Sequence, residues 1–291
     1  VPYFLPAGAP LSEDSLMELA IPDTQNPASL IMTLGSVSLM IPAAILAMLS
    51  VGLSPAKRLW SVALRIRWRW VWRTVLPALV ALVVMNVVGI ALELALAGGA
   101  GEETLGDAPA IDGRLALISF VLVLLLVPIQ ATAEEFVYRG MFMQTLGGWL
   151  GGVRGTGGFA AFVRGPWLPI AVPALLFGFS HIYDIWGFLA VTAMAVAAGW
   201  VSWRTGGLEA AISLHVVNNV VAFGFMTIGF GGETGQTSDG GGLGSLIGSL
   251  VGLTLFAWWV DRDFKRRDGR RTRIDYVEAR VPVAPATPVD P

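Results

Sequence analysis

Residues 75–97 read VLPALVALVVMNVVGIALELALA, and residues 57–74 ahead of them read KRLWSVALRIRWRWVWRT. The first stretch is apolar apart from Asn86 and Glu93. It is long enough to cross a hydrocarbon core about 30 Å thick, for which a helix needs about 20 residues. The second carries Lys57, Arg58, Arg65, Arg67, Arg69 and Arg73 and no acid. A charged segment feeding an uninterrupted apolar run is the pattern of a membrane-crossing helix with its basic flank on one side. Lipid offers backbone N–H and C=O groups no partners, so such a run must be helical.

Six further runs qualify or nearly do: Ser29–Leu53, Leu115–Phe136, Trp167–Ile182, Ile185–Trp203, Leu208–Phe230 and Gly244–Val260. With Val75–Ala97 they predict an all-α, polytopic membrane helix bundle of about seven transmembrane helices. Composition points the same way. Hydrophobic residues make up 55%, charged residues 14%, and the mean hydropathy is +0.68. Soluble domains carry about 25% charged residues, so there is too little charge here to cover a water-facing surface. That excludes a soluble Rossmann or barrel enzyme and a disordered chain. Cys is absent, which removes disulfides, thiolate metal sites and a Cys nucleophile. The net charge of −2 implies no nucleic-acid partner.

Charge alternates along the chain. If seven spans alternate, all of the 19 Lys and Arg residues except Arg114 and Arg139 fall on one side. They lie in the 57–73 segment, at Arg154, Arg164 and Arg204, and in the tail from Arg262 to Arg280. The opposite connections are acidic: Glu13, Asp14, Glu18 and Asp23; Glu102, Glu103, Asp107 and Asp112; Glu233 and Asp239. The positive-inside rule then places the N-terminus outside and the C-terminus in the cytoplasm. No positive n-region precedes Lys57, so no signal peptide is expected. The glycine-rich connections Gly147–Gly158 and Gly231–Gly248 are expected to be flexible loops. Gly244, Gly248 and Gly252 form a repeated small-xxx-small pattern suited to close helix packing.

Ionisable groups inside spans are costly and point to function. Both histidines of the chain, His181 and His215, fall inside predicted spans. Glu134 and Glu135 close the third span, and Asn218 and Asn219 follow His215. Adjacent Glu134 and Glu135 differ by about 100° around a helix and cannot share a face. Glu135 and Arg139, four apart, can pair, leaving Glu134 to face a cavity. His215 and Asn219 share a face, and Phe177 can pack on His181 by the same spacing. Glu93 and Glu209 are read as boundary residues within reach of water, and Tyr138 and Trp200 as interface aromatics. Peptide hydrolysis needs an activated water and a stabilised oxyanion. Glu134, His181, His215 and Asn219 supply such a set. Two His and one Glu are equally a catalytic zinc set, and residue identity leaves both chemistries open.

Glu134-Glu135-Phe-Val-Tyr-Arg139 has the form EExxxR, Phe177-Gly-Phe-Ser-His181 the form FxxxH, and His215-Val-Val-Asn-Asn219 the form HxxxN. In this order, on three separate spans, they resemble the CPBP (Abi) family of CAAX prenyl endopeptidases and bacteriocin-processing proteins. The resemblance covers about residues 115 to 230. It implies an intramembrane endopeptidase acting on membrane-associated, CAAX-type prenylated substrates in the membrane of a bacterial cell. Glu134 would activate water, Glu135 and Arg139 would support it, and His181, His215 and Asn219 would complete the site. The family has been described both as metalloproteases and as glutamate-dependent proteases. The preferred reading uses no cofactor, because no strong zinc-spacing motif is present and Asn219 suits an oxyanion donor. If zinc is used, its ligands would be Glu134, His181 and His215. The expected partners are a peptide or protein substrate and the lipid bilayer, with no nucleic acid.

The chain then divides into an extracytoplasmic segment 1–28, two helices with a basic cytoplasmic loop and an acidic outer loop over 29–114, and a catalytic core 115–230. An outer loop and the last helix follow over 231–260, and a basic, then disordered, cytoplasmic tail over 261–291. Two other functions compete: a non-catalytic immunity or scaffold protein of the same family, and a transporter relaying protons through Glu and His. The intact set of six polar residues favours the enzyme, and no internal repeat supports a transporter. One spacing needs reconciling. Glu134 lies roughly 30 Å along its helix from Arg114, near the cytoplasmic face, whereas His181 lies about 21 Å from Trp167, in the outer half. A shared site requires the third helix to start outside the bilayer, the fourth to begin below it, or a deep water-filled cavity.

The topology is testable in this Cys-free chain. A single Cys at Glu103 is expected to react with an impermeant maleimide in intact cells, and one at Arg270 only after permeabilisation. Labelling of both in intact cells would refute the alternation.

Overall fold

The computed structural model describes residues 13–52, 55–97, 109–230 and 232–267, with the side chains of 14–16 left aside. The acids Glu102, Glu103 and Asp107, the tail basic residues from Arg270 onward and the expected disordered end 281–291 lie outside the described residues. Among the described residues the chain is helical and has no named strand. The helices are α1 (Glu13–Ala20), α2 (Pro27–Ser38), α3 (Met40–Ser50), α4 (Trp68–Leu96), α5 (Gly113–Glu135) and α6 (Met143–Gly151). They continue with α7 (Gly158–Val163), α8 (Trp167–Phe179), α9 (Ile185–Thr205), α10 (Glu209–Thr227) and α11 (Leu243–Arg266). A 3-10 turn spans Ala56–Leu59 and a π-helical turn Phe136–Phe142.

Among the described residues, six helical stretches are long and apolar enough to cross a membrane: Pro27–Ser50, Trp68–Leu96, Gly113–Gly151, Ile185–Thr205, Glu209–Thr227 and Leu243–Arg266. The expected fourth span shrinks to the 13 residues of α8, about 20 Å of helix, short of a hydrocarbon core of about 30 Å. The expected first span is two helices, α2 and α3, broken at Leu39. Pro42 explains the break, since it has no N–H for the Ser38 carbonyl and its ring crowds that carbonyl. The third span runs on through the π turn into α6, making a continuous rod of 39 residues.

Contacts between helix ends sort the bundle into two poles. At one pole, Thr24 N–H donates to the Thr234 carbonyl (2.8 Å), Asp112 N–H to Gln25 Oε1 (2.8 Å), and Asp184 N–H to the Ser238 carbonyl (2.8 Å). Glu93 accepts from Ser245 N–H (3.1 Å) and so caps the start of α11. At the other pole, Asp261 pairs with Arg204 (2.6 Å) and Lys265 (2.6 Å). The glycine-rich connections are more structured than expected. Residues 147–151 are helical, and the loop before α11 is tied to residues 22–24 and to Asp184.

Glu209 is a correction to the sequence reading. It stands at a helix boundary as expected, the first residue of α10, but it is completely buried and not within reach of water. Arg67 grips it with two parallel bonds, Nε to Oε1 (2.8 Å) and Nη2 to Oε2 (2.6 Å), while Arg67 Nη1 donates to the Thr205 carbonyl (2.9 Å). A forked guanidinium–carboxylate pair is the arrangement that best satisfies a desolvated charge. It ties the start of α4 to the start of α10. Trp200, expected as an interface aromatic, is partly buried against the main core, with the Arg204 guanidinium 5.6 Å from its ring centroid.

The small-residue stripe of α11 behaves as expected and packs on α4. A Cβ added to Gly248 would strike the Met85 carbonyl and stand 2.6 Å from Gly89 N. Gly248→Ala is therefore expected to lower thermal stability in detergent by about 1–3 kcal/mol, the usual cost of overpacking. Gly35→Ala, a helical position with nothing within 4 Å of the new methyl, is expected to be neutral or slightly stabilising. Equal effects of the two substitutions would show that the α4–α11 contact is loose.

Candidate active site

The site begins on the last two turns of α5. Gln130 and Glu134 are four apart and share a face, and Gln130 Nε2 donates to Glu134 Oε2 at 2.6 Å. Glu135 points elsewhere, as the helical turn requires, and is completely buried. Its Oε1 accepts from Arg139 Nη1 at 2.9 Å, the pairing expected from the spacing. Arg139 belongs to the π turn and is itself only 2% exposed, with its guanidinium 4.6 Å from the centroid of the Phe177 ring. Gly140 lets this turn pack closely, since a Cβ there would stand 3.2 Å from Leu59 Cδ2 and 3.5 Å from Leu208 Cδ1.

From α10, buried His215 joins the two carboxylates. Its Nδ1 lies 2.8 Å from Glu135 Oε1 and its Nε2 3.3 Å from Glu134 Oε2. A carboxylate paired with a guanidinium is an acceptor, so Nδ1 carries a proton and donates it to Glu135. The contact between Nε2 and Glu134 then needs one further proton, on either partner. One turn on, Asn219 Nδ2 donates to Gln130 Oε1 at 3.3 Å, and Asn219 Oδ1 accepts from Asn218 Nδ2 at 3.1 Å. Gln130 thus ties Glu134 to Asn219. Sequence analysis missed it, although a lone amide four residues before Glu134 in an apolar run was a readable signal.

The third strip of the site is the end of α8. Phe177 is completely buried and serves as its hub. Its ring centroid lies 4.7 Å from that of His181, 5.7 Å from that of His215 and 5.0 Å from that of Tyr138. Tyr138, partly buried, is therefore part of the wall of the site. His181, expected inside a span, lies beyond the end of α8 at Phe179. Its Nδ1 donates to the Phe177 carbonyl at 2.8 Å. That bond fixes the tautomer of a neutral ring and leaves Nε2 as an acceptor.

The mismatch in depth between Glu134 and His181 is resolved by the rod. Helix α6 carries the chain about 19 Å beyond Glu134 by Gly147. There Gly147 faces Pro169 of α8, with 3.7 Å between a Cβ at Gly147 and Pro169 Cγ. Helix α8 starts at that level and climbs back antiparallel to the rod. Phe177 consequently meets Tyr138 and Arg139, and His181 arrives beside His215. Along the rod, α8 therefore begins well beyond the level of Glu134, and its end returns to that level.

A cavity of about 120 Å³ is lined by His181, Tyr183, His215, Asn218, Asn219 and Ser249. Glu134 is joined to that lining by His215 and by the Gln130–Asn219 bridge. A neighbouring space of about 260 Å³ shares Met85, Asn218 and Ser249 with it and lies between α4, α10 and α11. Among the described residues, no three His, Asp or Glu side chains come together in a set that could hold a metal ion.

The Glu135–Arg139 pair gives a sharp test. Breaking a buried ion pair typically costs about 3–5 kcal/mol because one charge is left uncompensated. Glu135→Gln and Arg139→Ala are each expected to lower stability in detergent by that order, and the double variant by clearly less than the sum. Additive losses in the cycle would show that the two side chains do not act as a pair.

Comparison with known proteins gives a family match. Residues 115–221 fit the family described as type II CAAX prenyl endopeptidase Rce1-like. The segment holds all three motifs and every candidate residue from Gln130 to Asn219. No curated protein and no solved structure matches the chain. In its segment 115–221 this helical membrane chain is similar to the Rce1-like family of type II CAAX prenyl endopeptidases, a family of proteases.

Proposed function

We propose that the chain is an intramembrane endopeptidase that hydrolyses peptide bonds of membrane-associated substrates, S-prenylated CAAX-type C-terminal peptides among them. The observation that carries this reading is His215, which bonds to Glu135 through one ring nitrogen and lies 3.3 Å from Glu134 through the other. The surrounding segment matches a protease family. We place the basic pole of the bundle at the cytoplasmic face of a cell membrane, following the distribution of Lys and Arg.

In this mechanism Glu134 is the general base. It takes a proton from water as the water oxygen bonds to the scissile carbonyl carbon. His181 Nε2, free to accept, orients that water. Asn219 donates an amide N–H to the oxyanion as charge develops there. Glu135 and Arg139 hold His215 through Nδ1. When the tetrahedral intermediate collapses and the C–N bond breaks, the leaving amine receives the proton held between Glu134 and His215. One water is consumed and the site returns to its starting protonation. No step uses a metal; a zinc version would draw on Glu134, His181 and His215.

Glu134→Gln is expected to leave unfolding temperature and peptide binding unchanged while lowering turnover of a prenylated quenched peptide by about 10²–10⁴. Full turnover by that variant would sink the proposal. Activity is expected to survive exhaustive chelation. One zinc bound per purified chain, with activity lost on its removal and restored on its return, would replace the metal-free chemistry.

A further inference from the structure

Tyr183 lies two residues beyond His181, outside the three motifs. It has a defined place in the site. Its ring stacks on that of His181, with centroids 5.8 Å apart and planes 14° apart. It lines the same cavity as His181, His215 and Asn219. Its hydroxyl oxygen accepts a hydrogen bond from Gln236 Nε2 at 3.0 Å. Gln236 comes from the loop between α10 and α11, and its own backbone N–H is fixed on the Pro22 carbonyl at 2.9 Å. Next to Tyr183, Asp184 N–H is held by the Ser238 carbonyl of the same loop. The phenol is thus locked from both sides.

A phenol has one proton to donate. With the Gln236 amide donating to the oxygen, that proton is left to point away from the loop. Burial raises the hydroxyl above its ordinary ionisation range, and the Glu134 carboxylate adds to this against the opposing effect of the Gln236 bond. The group is therefore a neutral donor at physiological pH. It sits where Glu134 is close enough to be felt.

We propose that Tyr183 is a further catalytic residue, donating its hydroxyl proton in a hydrogen bond to the scissile carbonyl oxygen, with Gln236 as the positioning residue that aims it. The proposal rests on the hydrolase reading above. Tyr183 and Asn219 together form a two-donor oxyanion site, one donor from the turn after α8 and one from α10. The hydroxyl stays protonated throughout, so no proton is transferred from it. Its bond strengthens as the carbonyl becomes an oxyanion, and the effect should appear in kcat more than in KM.

The test is steady-state cleavage of an S-farnesylated quenched CAAX peptide by the full chain in proteoliposomes. Tyr183→Phe keeps the ring on His181 and removes only the hydroxyl. It is expected to lower kcat about 10²-fold with KM nearly unchanged. Gln236→Glu replaces the donating amide by an accepting carboxylate of the same shape, which turns the Tyr183 proton toward the loop. It is expected to lower kcat comparably, and the double variant to be no worse than Tyr183→Phe alone. Wild-type kcat in Tyr183→Phe, beside an inactive Glu134→Gln, would overturn this proposal and leave the hydrolase reading standing. A raised KM at unchanged kcat would do the same. Additive losses in the double variant would overturn the role of Gln236. Absence of turnover by the unaltered chain would overturn the hydrolase reading and this proposal with it. Should Tyr183→Phe fail to fold, Gln236→Glu carries the same kcat-against-KM readout.

Discussion

A carboxylate with no exposed surface has to find its counter-charge inside the bundle, and Glu135 is that carboxylate. An isolated buried charge costs several kcal/mol even after relaxation. Glu135 therefore binds Arg139 within its own rod and His215 on a neighbouring helix, using one oxygen for both. This double engagement fixes the rotation of α5 against α10. Once Glu135 is turned inward to meet His215 Nδ1, its neighbour Glu134 is placed beside His215 Nε2. The geometry of Glu134 follows from the pairing of Glu135.

The same constraint operates at the basic pole. Glu209 is as deeply buried as Glu135 and is held by the fork of Arg67. That pair sets where α10 begins relative to α4, and His215 lies less than two turns above it. Two buried ion pairs thus anchor α10 at Glu209 and at His215, where the site begins. Van der Waals packing does the rest. Gly89 on α4 and the glycines of α11 let two backbones approach closely, which suits an apolar solvent where helix association gains nothing from expelling water.

The rod of α5, the π turn and α6 gives the site its third wall. A π turn inserts extra backbone into a helix and often marks a functional region. Here it holds Arg139 under Phe177 while letting the helix continue far enough to set the starting level of α8. Because α8 is short, its end stops inside the bundle, and irregular backbone from Ser180 to Asp184 is tolerated where it lines a cavity and meets a loop. Phe177 then touches His181, His215, Tyr138 and Arg139 at once, so the three sequence motifs meet around a single ring.

Hydropathy and charge alternation were enough to read an all-helical membrane chain and the approximate place of each apolar helix, because lipid leaves the backbone only one way to satisfy itself in a spanning segment. Helical periodicity alone paired Glu135 with Arg139, put His215 and Asn219 on one face and set Phe177 against His181, since these are neighbours within or just past one helix. Contacts between distant segments were not legible. Nothing in the order of residues announces that Arg67 reaches Glu209, that Gln130 bridges Glu134 to Asn219, or that Gln236 meets Tyr183. The break at Leu39 was signalled by Pro42 and the fourth run was visibly short, but the end of α8 was not legible, because its apolar run continues past the point where the helix stops. The sequence by itself determined which stretches are apolar helices and which side chains share a helical face. The tertiary structure decided which of them meet, because partners for a buried charge or amide come from whichever helix packs alongside, and that depends on the packing of the whole bundle.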